Sequence, residues 1–414
     1  MENTGITKQQ RPQELRWLTI LRYPAAVWVV ALHSLSQINE LRRAPLIADS
    51  FLKAVIDRGF LGVSFFFMLS GFILAWNHPV ITDRPRYAVT RAARILPVYY
   101  LSLAFSLPLF LSGLSTYGGR AAALFKGSAA LLLVQSWFPP IAGVWNIPAW
   151  TLSCEMFFYA LLPFLLPALH SFVKSFRIRG ILGLLTVLFF AGLIMPAVFD
   201  HMFHCPRYVT DFSLNVLWGK EVKIKLFIEK FPLLRCVDFI AGVVLCVWLR
   251  PMLTKSQRPV SRPFASGLIA CGVLWIATSA LLPFVYSFGT WCLPGFGAVI
   301  AGFALLSLSG GESRFSQYGK LLGGASYSLY LLHMPAIKYL SQNYRQHFAG
   351  SGTLPGMSDF WTFFGLILVL MTAVSVAVFM FYEEPLRRWG MRAWQLRRTE
   401  SASFDLRPEP EAAR

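Results

Sequence analysis

The chain has 414 residues, of which 56% are hydrophobic, 15% aromatic and only 14% charged. A soluble globular domain carries nearer a quarter charged residues, so repeated apolar runs of about 18 residues or more exclude a large water-soluble protein and imply a polytopic membrane protein. The net charge of +18 would suggest nucleic acid in a soluble chain; in a membrane protein it is the signature of basic cytoplasmic loops, and no nucleic-acid partner is expected.

Apolar runs occur at roughly 17–35, 59–76, 96–114, 121–137, 149–168, 180–198, 233–249, 264–283, 291–309, 324–341 and 360–382. Before the first run, residues 1–14 are polar and lack a signal-peptide cleavage pattern, so the first run reads as an uncleaved anchor. Lys8, Arg11 and Arg16 place the N-terminus in the cytoplasm. The loop 77–95, with Arg84, Arg86, Arg91 and Arg94, is then also inside. If 121–137 spanned the membrane, the basic stretches 170–180 and 250–262 would fall outside. If it does not, both fall inside, as does "RRWGMRAWQLRR" at 387–398. That run also carries Lys126 and Gly127 near its middle. The expectation is therefore an all-α fold of about ten transmembrane helices with both termini cytoplasmic. Residues 115–148 would lie outside, re-entrant or interfacial. The transmembrane unit is expected over 15–390, between a cytoplasmic segment 1–14 and a disordered cytoplasmic tail 391–414 rich in Pro, Glu and Ser. The six cysteines are scattered singly, without metal-ligand spacing, and no metal is expected.

Ionisable residues within apolar helices mark cavities and function. "LRYPAAVWVVALH" sets Arg22 and His33 eleven residues apart, about 16 Å along a helix and about 20° from the same face. The topology puts Arg22 in the inner half of its helix and His33 near the outer end. It also puts Glu155 and Asp238 in the outer halves of theirs, so that three ionisable residues share one depth. Arg91 and Arg94 stand on one helical face at the cytoplasmic mouth. A histidine with a carboxylate nearby removes a proton from a hydroxyl, and paired arginines suit a phosphorylated ligand. The pattern points to a phosphorylated donor arriving from the cytosol and acid–base chemistry near the outer side. A proton-coupled transporter or flippase is the rival from another class, but no internal repeat is visible in the sequence.

Seven blocks in order carry a family resemblance: "LRYPAAVWVVALH", "GFLGVSFFFMLSGFILAW", "RAARILPVYYL", "VWNIPAWTLSCEMFFYALLP", "FPLLRCVDFIAGVVLC", "SYSLYLLHMP" and "EEPLRRW". Over roughly residues 15–390 the chain resembles the acyltransferase-3 family of integral membrane O-acyltransferases. It departs at Asp238, where the family pattern leads one to expect glutamate.

The resemblance implies about ten helices and transfer of an acyl group, usually acetyl, from cytosolic acyl-CoA to a hydroxyl. The acceptor would be a surface carbohydrate such as an exopolysaccharide or O-antigen, or else a macrolide or other small secreted compound. The expected home is the bacterial cytoplasmic membrane, with the lipid bilayer as solvent. In this reading His33 is the general base and Glu155 orients its imidazole, as the carboxylate does in a serine triad. Arg91 and Arg94 hold the coenzyme phosphates, and Arg22 lines the donor passage or offsets charge on the thiolate. Ser70 and Tyr330 donate to the thioester carbonyl oxygen. A covalent acyl-His33 intermediate is a variant of the same scheme. His333, within "YLLHMP", reads as a structural residue bonded to a backbone carbonyl. The long segment 199–232 is expected to help select the acceptor.

Overall fold

The computed structural model describes residues 14–43, 46, 51–202, 224–255, 261–282, 290–309, 314–351 and 353–405. They are helical almost throughout. In chain order the helices are α1 (Arg16–Ile20), α2 (Arg22–Arg42), α3 (Phe51–Asp57), α4 (Leu61–Asn77), α5 (Arg84–Ser112), α6 (Arg120–Leu131) and α7 (Trp150–Met202). They continue with α8 (Ile224–Lys230), α9 (Pro232–Lys255), α10 (Arg262–Ala277), α11 (Leu293–Ser309), α12 (Arg314–Ser351), α13 (Met357–Val378) and α14 (Glu384–Asp405).

Eight segments among the described residues are long and apolar enough to span a bilayer: Arg16–Arg42, Phe51–Asn77, Arg84–Ser112, Ile147–Phe176, Pro232–Thr254, Arg262–Leu281, Thr290–Leu308 and Met357–Gln395. The protein is thus an all-α integral membrane protein. Two further stretches lie in the same bundle without meeting that criterion. One is the shorter apolar Arg179–Ile194. The other is α12, whose polar ends dilute its apolar middle.

Local signals set several boundaries. Asp83 caps α5 by accepting from the Arg86 backbone N–H at 3.0 Å, with Pro85 in the first turn, where its missing N–H costs nothing. Ser261 caps α10 in the same way, accepting from the Phe264 N–H at 3.3 Å.

Helical structure is continuous over the 53 residues of α7, which would measure about 80 Å if straight. Its contacts show that it doubles back. Phe164 sits under the Arg84 guanidinium, 4.9 Å from ring centroid, at the end where α5 begins. Phe189 instead packs on Trp291, at 6.2 Å between ring centroids. Trp291 bonds Thr278, next to Ser279, whose carbonyl accepts from Arg58 at the opposite end of the bundle. The reversal falls near the basic stretch 170–180, where a loop is expected from charge. Helix α14 runs through Asp405, past the start at 391 of the expected disordered tail. The composition there is polar, but the segment prolongs the apolar α13 without a break.

The run 121–137 forms no span. Helix α6 has 12 residues, about 18 Å, against a hydrocarbon core of about 30 Å. Its end lies beside the middle of α5, where the Tyr99 hydroxyl donates to Ala130 O. The chain then passes through short 3-10 turns whose polar groups are buried, including Gln135, Ser136 and Asn146. Irregular backbone at such depth is tolerated because protein satisfies it. The Ser136 hydroxyl donates to Trp150 O at 2.6 Å and the Gln135 amide to Ala149 O at 3.1 Å. This segment is re-entrant.

Helices α4 and α9 cross in backbone contact. A Cβ on Gly242 would collide with Met68 O, and one on Gly71 with Phe239 O. Without a hydrophobic drive between helices in lipid, such small-residue crossings supply the packing. Gly242→Leu is expected to force the pair apart at a cost of about 3 kcal/mol or more. Thermal unfolding in detergent should show a clearly lowered midpoint relative to an exposed-site control such as Gly267→Leu, where an added Cβ meets no neighbour.

Candidate active site

Two groups of polar residues lie inside the bundle. The first surrounds Arg22, the opening residue of α2. Helix α5 contributes Arg94, α7 contributes Glu155 and Tyr159, and α12 contributes Tyr327 and Tyr330; these side chains line a small cavity of about 40 Å³. Arg22, Arg94 and Arg91 all lie within electrostatic reach of the Glu155 carboxylate, which also accepts from the Tyr159 hydroxyl at 3.0 Å. A second carboxylate, Glu383, faces Arg94 and Arg22 and accepts from the Ser328 hydroxyl at 3.1 Å. Glu383 closes a π-helical turn, Phe379–Glu383, and is buried. Such a turn inserts an extra residue into the helix and re-aims the side chains that follow.

Arg22 and Arg94 thus face both carboxylates. The Nε–H groups of Arg22 and Arg91 are buried and have no hydrogen-bond partner among the described residues. Unsatisfied buried donors are costly, and a cavity lined by Arg22 and Arg94 is suited to an anionic oxygen.

The second group is a histidine pair. His33 lies about 16 Å along α2 from Arg22. Its Nδ1 is 2.8 Å from Nε2 of His333, with the rings stacked at 5.1 Å between centroids and 21° between planes. His333 is buried, and its Nδ1 bonds Tyr330 O at 2.7 Å. Pro335, inside α12, has no N–H to give to Leu331 O. The Asn146 side chain of the re-entrant segment supplies that bond instead, at 2.9 Å. Tyr330 joins the two groups. Its side chain lines the Arg22 cavity, its carbonyl holds His333, and its ring centroid is 5.9 Å from that of His333.

Several sequence-based expectations are corrected here. Glu155 does not orient His33; it serves the arginine cluster, and the partner of His33 is His333. The depth argument for Glu155 assumed that α7 starts at the membrane surface. The re-entrant segment instead delivers Trp150, 5% exposed, already inside the bundle. Asp238 joins neither group. It is ion-paired with Arg235 of its own helix at 2.6 Å, and Arg235 also donates to Ser64 Oγ at 2.6 Å. The two Arg235–Asp238 side chains are 6% and 3% exposed. Ser70 is buried against the Tyr159 hydroxyl, behind the cavity wall. Arg91 and Arg94 do come together with Arg22. His333 does bond a backbone carbonyl, as expected, and in addition faces His33. Glu383 and Tyr159 were missed, although both lie within the quoted blocks "EEPLRRW" and "CEMFFYALLP". Most of the segment 199–232, expected to select the acceptor, lies outside the described residues.

The buried Arg235–Asp238 pair yields a prediction. Asp238→Ala leaves the Arg235 charge buried without its carboxylate, which costs about 3–5 kcal/mol. Thermal unfolding should register that loss, whereas donor affinity of the folded fraction should stay near wild type.

A larger apolar groove of about 790 Å³, lined by Met68, Leu185, Phe189, Leu245, Trp248 and Phe264 among others, holds no titratable side chain. It offers no acid–base chemistry.

Comparison with known proteins finds similarity over most of the chain. A family model described as an acyltransferase domain matches residues 15–380. The chain is 27% identical to acyltransferase MdmB of Streptomyces mycarofaciens, over 78% of this chain and 79% of that protein. It is 28% identical to the exopolysaccharide production protein ExoZ of Rhizobium meliloti, over 80% of this chain and 90% of that one. It is 24% identical to O-acetyltransferase OatA of Staphylococcus aureus, over 84% of this chain but 56% of that protein. No solved structure shows significant similarity to it.

Proposed function

Because the chain belongs to the acyltransferase-3 family of membrane O-acyltransferases, we propose that it moves an acyl group, acetyl above all, from cytosolic acyl-CoA to a hydroxyl of a cell-surface carbohydrate. The observation that carries this reading is the pairing of a cavity lined by Arg22 and Arg94, with Arg91 beside Arg94, and a histidine pair on the far side of Tyr330. The carbohydrate acceptor is supported by the similarity to an exopolysaccharide production protein.

The donor's phosphates engage Arg91 and Arg94, at the end of the bundle that faces the cytosol in the positive-inside orientation. Arg22 stands deeper and offsets negative charge on the coenzyme. Tyr330 reaches between cavity and histidine pair and donates to the thioester carbonyl oxygen as it gains charge. Ser70 supports this through Tyr159 rather than by touching the thioester. His33 takes the proton of the acceptor hydroxyl. The hydroxyl oxygen bonds to the acyl carbon, the carbon–sulfur bond breaks, and coenzyme A leaves as a thiolate that is then protonated. The membrane in question is the bacterial cytoplasmic membrane, where acyl-CoA is available on the inner face and both chain ends are cytoplasmic.

The test is CoA-thiol release from acetyl-CoA by protein in nanodiscs, with a panel of carbohydrate and macrolide hydroxyl acceptors. Release that depends on a carbohydrate acceptor supports the reading. Release with macrolides alone reassigns the acceptor. Uptake of a panel compound into vesicles without acyl-CoA, and no thiol release, would identify a carrier.

A further inference from the structure

The hydrogen bonds of the histidine pair have a direction. A carbonyl oxygen only accepts, so His333 Nδ1, at 2.7 Å from Tyr330 O, carries a hydrogen. In a neutral imidazole the other nitrogen then has a lone pair. His333 Nε2 therefore accepts, and the hydrogen in its 2.8 Å bond to His33 resides on His33 Nδ1. This leaves His33 Nε2 as the free lone pair. The charged side chains acting most strongly on His33 are Lys230 and Lys338, both cations. Among the described residues no carboxylate hydrogen-bonds either ring.

We propose that His333 is the positioning residue of the reaction: held by the Tyr330 carbonyl, it fixes His33 in the Nδ1–H tautomer and so selects Nε2 as the base. The role rests on the general-base reading of His33. The work a carboxylate does in a serine triad falls here to a neutral imidazole whose own tautomer is set by main chain. When Nε2 takes the acceptor's proton, the His33 imidazolium keeps its Nδ1–H bond to His333, and the proton on Nε2 passes to the departing thiolate. A neutral acceptor stabilises the imidazolium less than a carboxylate would. It also avoids placing a further anion in the apolar bundle, which is costly without a partner. The geometry is delivered by α12, which puts the Tyr330 carbonyl one turn before His333, and by Asn146, which holds the neighbouring Leu331 carbonyl next to the Pro335 gap.

The experiment combines spectroscopy with kinetics on the full chain in nanodiscs. Imidazole ¹⁵N spectra of histidine-labelled protein, assigned with His33→Gln, distinguish a protonated nitrogen from a lone pair. His33 is expected as the Nδ1–H tautomer in the wild type. His333→Leu should abolish that preference and lower kcat by about 100-fold or more, with the KM for acyl-CoA little changed. His333→Gln, whose side-chain oxygen can still accept from His33, should recover most of the lost kcat and guards against a mere folding defect. A wild-type His33 with its hydrogen on Nε2 overturns the proposal. So does turnover that is lost in His33→Ala but kept in His333→Leu. Turnover kept in His33→Ala overturns the general-base reading itself, and the two failures are thereby distinguished.

Discussion

His33→Ala is expected to lower acyl transfer by between about 100- and 10,000-fold, the range set by loss of a positioned general base. The acceptor hydroxyl is a poor nucleophile until its proton is removed, and His33 is the ring in the pair whose second nitrogen is not committed to another group among the described residues. Binding of acyl-CoA should persist, because the arginine cluster lies about 16 Å away along α2 and His33 is not among the residues that line its cavity. Equilibrium titration with a non-hydrolysable acyl-CoA analogue, run beside the turnover assay, separates the two effects. A variant that loses both affinity and turnover would place His33 in the donor site instead.

Arg94→Ala is expected to do the converse. It removes a cation that faces both Glu155 and Glu383. Hydrogen bonds to charged groups contribute about 1.5–3 kcal/mol each, so the Kd for acyl-CoA should rise roughly 10- to 100-fold. At saturating donor, kcat should fall far less. Arg94→Lys should recover part of the affinity, since a point charge replaces a guanidinium that can grip phosphate with two bonds. An unchanged Kd in Arg94→Ala would remove the cluster from the donor path and leave it a structural network.

The helices were legible in the sequence because a spanning helix needs only length and apolarity. Counting basic residues in loops also singled out 121–137 as the weakest run, and the helix there, Arg120–Leu131, is too short to cross. Charge cannot say how deep a non-spanning segment goes. The polar groups of Gln135, Ser136 and Asn146 look like those of a surface loop in the sequence, yet each is almost fully buried. That one difference lowered the start of α7 and moved Glu155 from the expected histidine site to the arginine site. Asp238 failed for a local reason, since its partner Arg235 is three residues away and in plain view. The His33–His333 pairing had no signal at all: 300 residues separate the rings, and neither helix's periodicity names the other. Glu383 was legible as a glutamate in a recurring block, but its burial depends on a π-helical turn that composition does not announce.

The central claim is that acyl transfer starts from acyl-CoA bound at the arginine cluster and finishes at His33. It is tested most directly with acetyl-CoA labelled in the acetyl group, given to wild-type, Arg94→Ala and His33→Ala protein together with a carbohydrate acceptor. Label recovered on the carbohydrate should appear with wild type. It should return at high donor concentration with Arg94→Ala, and stay absent at every donor concentration with His33→Ala. Label transfer by His33→Ala at the wild-type rate would contradict the account.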